Sequence, residues 1–195
     1  MKIKVHGLPR SGNNWTMAML DANFGVTVLH HNQGGNTHGK LDLDGKDAPE
    51  AAVLIVKHPL AWMPSIFRLM RPDIDFNTFV RRVQPWKRWA MRNRIWFDDG
   101  AALDIPFEIV LYEDLLIRTV GRLEEIGSAF GMEKISEEWL LMPRKMNKGM
   151  GQTIRKFDPT YYTEKKFLEE YESDILAEVN DTLDVELLTD LGYDG

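Results

Sequence analysis

Lys2-Ile3-Lys4-Val5-His6-Gly7-Leu8-Pro9-Arg10-Ser11-Gly12-Asn13-Asn14-Trp15 reads as a strand, a tight loop and the start of a helix within fourteen residues. Ile3 and Val5 are β-branched and alternate with polar neighbours. Gly7 and Gly12 punctuate, and the apolar set Trp15, Met17, Ala18, Met19 and Leu20 follows at helical spacing. A loop entering a helix presents unpaired backbone N–H groups and the positive end of the helix dipole. Such a place favours phosphate or sulfate.

The two glycines have the spacing of the triphosphate-binding loop G-x-x-x-x-G-K-[ST], but Asn13 and Asn14 stand where that motif has its Lys and its magnesium-holding hydroxyl. A cation does occur two residues before the second glycine. Pro9-Arg10-Ser11-Gly12-Asn13-Asn14-Trp15 resembles the 5′-phosphosulfate loop of the sulfotransferase family, P-K-S-G-T-T-W. Arg10 falls at the family's Lys, Asn13 and Asn14 at its two Thr positions, and Trp15 is retained.

The chain has 195 residues, enough for one domain with a substantial core. At 44% hydrophobic and 28% charged it has an ordinary globular composition. A formal net charge of −6 disfavours a general nucleic-acid or membrane-surface role. With no Cys, thiolate catalysis, disulfides and cysteine metal sites are excluded. A strand beginning at residue 2 leaves no room for a targeting peptide, and no apolar run has membrane length, so the expectation is a soluble, cytoplasmic protein.

Along the chain, Val26-Thr27-Val28-Leu29 is read as a second strand running into His30-His31-Asn32, and Gln33 to Pro49 as a long loop of the kind that is usually functional or mobile. Ala51-Ala52-Val53-Leu54-Ile55-Val56 is a continuous apolar run, as expected for a strand covered on both faces of a parallel sheet. It ends in Lys57-His58-Pro59, and helical spacing resumes from Leu60 to Met70. Phe107 to Leu111 is a further strand, and Glu164 to Leu191 a helical tail. The pattern predicts a three-layer α/β/α domain with a central parallel sheet of about four or five strands, nucleotide-triphosphatase-like, with ligands at the C-terminal strand ends.

Later segments extend the resemblance in the family's order. Lys57-His58-Pro59-Leu60-Ala61-Trp62-Met63-Pro64-Ser65 is similar to its second signature, a basic residue at a strand end followed eight positions later by Ser. Lys replaces the usual Arg, and Pro64 precedes the Ser. Tyr112-Glu113-Asp114-Leu115 resembles Y-E-D-L and is read as shaping a strand-to-helix corner. Arg144-Lys145-Met146-Asn147-Lys148-Gly149-Met150-Gly151 loosely resembles R-K-G-x-x-G, and Leu191-Gly192-Tyr193 the ends of bacterial members.

The resemblance implies 3′-phosphoadenosine 5′-phosphosulfate (PAPS) as cofactor and sulfuryl transfer to a hydroxyl or amine of a small-molecule or saccharide acceptor. It implies Arg10 on the bridging and leaving oxygens and the N–H groups of Ser11, Gly12, Asn13 and Asn14 around the phosphosulfate. Trp15 would lie against adenine, Lys57 and Ser65 on the 3′-phosphate, and Lys148 and Gly149 in the closing loop. No metal is required. An acceptor hydroxyl needs a base, and His suits neutral pH. Thr37-His38-Gly39-Lys40-Leu41, nineteen residues before Lys57, resembles the family's K-T-H-L segment, which makes His38 the candidate over His30 and His31. Asp42 or Asp44 would serve if the base were a carboxylate.

Trp86, Trp89, Ala90, Trp96 and Phe97 recur at helical spacing among Arg81, Arg82, Lys87, Arg88, Arg92 and Arg94. A core stripe with a solvated basic face is the first reading. A rim for an anionic acceptor and a homodimer interface are the others. A magnesium-dependent small-molecule kinase would share the sheet and first loop without its G-K-[ST], and an inactive nucleotide-binding module is the remaining alternative.

Overall fold

The computed structural model describes residues 1–30, 33, 38–40, 42–141 and 158–193. The basic loop around Lys148 and Gly149, and His31 with it, lie outside the described residues. Four strands form one parallel sheet in the order β2-β1-β3-β4, with β1 Lys2–His6, β2 Thr27–Leu29, β3 Ala51–Val56 and β4 Phe107–Leu111. Every residue of β3 is buried, as its unbroken apolar run requires between two neighbours and under two layers.

Alternation along the strands sorts the core into two halves. Ile3, Val5, Val53, Ile55 and Val110 face α1 (Asn13–Asn23), α5 (Tyr112–Ile117) and α6 (Thr119–Ala129). Leu54 and Val56 face α2 (Pro59–Met70), α3 (Phe76–Val83), α4 (Pro85–Ala101) and the C-terminal elements. After β1 the chain crosses outward to β2, and after β3 it moves the opposite way to β4. The order therefore reverses between β1 and β3, where open α/β sheets form a crevice at their strand ends.

Helix α2 runs through Pro64, which has no N–H to give to Leu60 and would ordinarily break the ladder. The orphaned Leu60 carbonyl instead accepts from the Tyr171 hydroxyl at 2.7 Å, a contact across 111 residues. Helix α4 supplies the tryptophan stripe: Trp86, Trp89 and Trp96 are buried, so the core reading of that segment holds. Truncating any of them to Ala would cost on the order of 3–5 kcal/mol. Of its basic residues, Arg94 bridges to Asp184 at 3.1 Å and Asp190 at 2.8 Å, and Arg81 to Asp174 at 2.7 Å.

A short helix α7 (Thr160–Thr163) comes first, and the helical tail expected over 164–191 is corrected to a 3₁₀ turn (Lys166–Glu170), α8 (Ser173–Thr182) and α9 (Val185–Asp190). Extended residues at Tyr171, Glu172 and Leu183 interrupt it. Asp184 restarts α9 by accepting from the Leu187 N–H. Among the described residues, no helix is long and apolar enough to cross a membrane.

Candidate functional site

The β1–α1 loop is shaped by its two glycines. Gly12, the N-cap of α1, has φ 107°, and a Cβ there would lie 2.5 Å from the Tyr112 ring. Gly7 has φ 155° and would press a Cβ to 2.5 Å from the Ile55 carbonyl. Both positions exclude side chains by conformation and by space. Between them, Arg10 is exposed and sits in the left-handed region at φ 71°, a strain of about 1–2 kcal/mol for a residue with a Cβ.

Asn13 does not turn its amide outward. Its Nδ2 donates to the Gly7 and Leu8 carbonyls at 3.1 and 3.2 Å, tying the loop from within. Its Oδ1 is buried with no hydrogen-bond partner among the described residues. Ser11 is buried, Asn14 is exposed, and Trp15 is half-buried against the α1-side core. Helix α2 holds the loop from the other side, with Trp62 Nε1 donating to the Pro9 carbonyl at 2.8 Å.

Lys57 ends β3 directly beside this loop and is 3% exposed. Its Nζ lies 4.0 Å from the Tyr112 ring centroid and 4.7 Å from that of Tyr162, and 3.4 Å from the Tyr162 hydroxyl. No carboxylate among the described residues is within ion-pair distance of it. Burial pushes the Lys57 amine below its ordinary value, opposed by Tyr162 and Glu113 and assisted by the charge of Arg10. Helix α4 fixes the Lys57 backbone through Trp89 Nε1, which donates to its carbonyl at 2.9 Å.

Glu113 stands behind the lysine. Burial raises its carboxyl above the usual range, against the pull of Lys57, and it accepts from the His58 N–H at 3.1 Å and the Tyr193 hydroxyl at 2.9 Å. Burial also pushes the Tyr162 phenol up. The charge of Lys57, the Ser65 hydroxyl and Arg68 outweigh it and hold that phenol below its ordinary value. Ser65 is buried, and its Oγ donates to the Ala61 carbonyl at 3.3 Å.

His38, thirty-one residues from Gly7, reaches the same loop: its Nδ1 is 2.5 Å from the Gly7 carbonyl. A carbonyl only accepts, so Nδ1 carries a proton, and in the neutral ring the lone pair is on Nε2. His30 lies at the exposed end of β2, where its N–H donates to the Gln33 side chain. The structure thus brings Arg10, Ser11, Gly12, Asn13, Lys57, Ser65 and His38 to one end of the sheet.

No family model and no curated protein matches this chain. Sequence reasoning missed two of the site's members: Tyr112 was assigned only to the corner, and Tyr162, 105 residues from Lys57, carried no local signal.

His58 and His6 give the fold a pH signature. His58 caps α2, its Nδ1 accepting from the Leu60 N–H at 3.3 Å, and His6 lies 4% exposed within β1. Burial pushes each imidazole down to about 4 from the ordinary 6.5, with Lys165 adding to the effect at His58. The unfolded chain binds more protons between those values, so stability present above pH about 6.5 is lost as pH falls toward about 4. Each ring accounts for about 2 kcal/mol of loss between about pH 6.5 and pH 5. His58→Asn keeps a capping acceptor and removes one titration. Urea unfolding should show about half the acid loss at those histidines in the variant. Equal pH slopes in variant and parent would contradict this assignment.

Proposed function

We propose that the protein is a PAPS-dependent sulfotransferase of P-loop type, transferring a sulfuryl group to a hydroxyl or amine of a small-molecule or saccharide acceptor. The observation that carries the reading is the convergence on one glycine loop of a histidine whose Nδ1 meets the Gly7 carbonyl and a buried lysine with no ion pair among the described residues. An anion there would relieve the mutual repulsion of Lys57 and Arg10 and replace water that Lys57 has already lost. The glycines at 7 and 12 let the loop pack tightly against Ile55 and Tyr112, which sets its shape at the start of α1.

PAPS, when bound, supplies an activated sulfuryl group on a good leaving phosphate. The Ser11 N–H donates to the Leu8 carbonyl at 3.2 Å, so the N–H groups of Gly12 to Asn14 would hold the 5′ end at the helix N-terminus, and Arg10 would offset charge building on the leaving oxygen. Lys57 and Ser65 would hold the 3′-phosphate. His38 Nε2 would take the acceptor hydroxyl proton as the acceptor oxygen bonds to sulfur and the sulfur–oxygen bond to the phosphate breaks. Adenosine 3′,5′-bisphosphate then departs, and His38 returns its proton to solvent.

Lys57→Met tests the phosphate assignment with little change of volume. Calorimetric affinity for adenosine 3′,5′-bisphosphate should fall on the order of 10- to 100-fold, the worth of a charge-assisted hydrogen bond. Affinity for AMP should stay as in the parent. A variant whose preference for the bisphosphate over AMP is unchanged would remove Lys57 from the site.

A further inference from the structure

Helix α4 reaches past Lys57 to the far side of the loop. Trp96, two turns beyond Trp89, donates its Nε1–H to the Gly39 carbonyl at 3.2 Å. Its ring also packs edge-on to His6 of β1, with centroids 4.8 Å apart, and the backbone of Gly39 interacts with that same imidazole. The neighbouring residue in the chain is His38, whose Nδ1 donates to Gly7. Consecutive residues are thus tied to two different rigid elements, one to the glycine loop and the other to α4.

The ties matter because of where His38 sits. It is exposed, and it belongs to the connection between β2 and β3, which contains a Gly immediately after the histidine. A free imidazole on such a segment would sample many rotamers and both tautomers, at a cost in conformational entropy when one is selected. A second anchor lies upstream, where Lys4 Nζ donates to the Gln33 carbonyl at 2.6 Å.

From this we infer that Trp96 is a positioning residue for His38: by gripping the Gly39 carbonyl, its indole N–H keeps Nδ1–H on Gly7 and the lone pair on Nε2. The functional meaning rests on the reading of His38 as the base; the clamp itself does not. It gives the basic, tryptophan-rich helix a part in catalysis separate from its part in the core.

Long-range nitrogen–proton NMR of the histidine side chains reads the tautomer directly, with the His38 signals assigned by their absence in His38→Asn. The parent protein should show His38 as the Nδ1–H form. Trp96→Phe, which keeps the ring and loses the donor, should lose that form. Trp89→Phe, which removes an indole donor from the same helix, should keep it. Persistence of the Nδ1–H form in folded Trp96→Phe would overturn the inference, as would an Nε2–H form in the parent. If Trp96→Phe fails to fold, exchange of the Trp96 indole proton in the parent decides: slow exchange like that of Trp89 supports the clamp, and free-indole exchange overturns it. Bisphosphate titration of the same samples separates the two claims. Binding with an unmoved tautomer sinks the clamp alone, and a moved tautomer without binding sinks the sulfotransferase reading alone.

Discussion

His38→Ala lowers sulfuryl transfer by about 10²- to 10⁴-fold on a verified acceptor, the range for a lost general base, while bisphosphate affinity stays as in the parent. The split follows from position. His38 meets the loop at the Gly7 carbonyl, which Asn13 Nδ2 also holds at 3.1 Å, so the loop keeps an internal tie without the imidazole. His38→Asn sharpens the test: an amide can still donate to Gly7 but cannot take a proton at neutral pH. Both variants should lose turnover to a similar extent. If Asn restored activity, the contact with Gly7 would matter and the base would lie elsewhere, with Asp42 or Asp44 the next candidates. If Ala left transfer intact, His38 would have no chemical role.

Arg10→Gly should make the protein more stable and far less active. Arg10 holds φ 71° at an exposed site, a conformation glycine adopts freely. Removing the Cβ should raise urea-unfolding stability by about 1 kcal/mol. The guanidinium is assigned to charge that develops only as the leaving oxygen departs, so kcat should fall on the order of 10²- to 10³-fold with little change in cofactor affinity. Arg10→Ala keeps the strained backbone and should show the catalytic loss without the gain in stability. A loss confined to KM would place Arg10 in ground-state binding. Unchanged kcat would remove it from the mechanism.

The strands were legible because each carries its own signal. The apolar run from Ala51 to Val56 matches β3 residue for residue, and Phe107 to Leu111 matches β4. The second strand starts one residue later than its β-branched pattern suggests. The glycine loop was legible from Gly7 and Gly12 because backbone conformation leaves a compositional mark. What the sequence hid depends on contacts between distant residues. Pro64 reads as a helix breaker until Tyr171 is seen taking its bond. Asn13 reads as a ligand contact until its amide is found facing the loop's own carbonyls. Lys57 reads as a strand-end cation, and only the fold shows it between two tyrosine rings, one of them from α7. The indole stripe of α4 was legible as core; that two of its N–H groups hold Lys57 and Gly39 was not.

Calorimetric titration with adenosine 3′,5′-bisphosphate, beside AMP and magnesium ATP, tests the central claim without needing an acceptor. The account predicts that the bisphosphate binds without magnesium and in clear preference to AMP, because Lys57 and Ser65 await a 3′-phosphate. Preference for magnesium ATP, or no binding of any of the three, would contradict it.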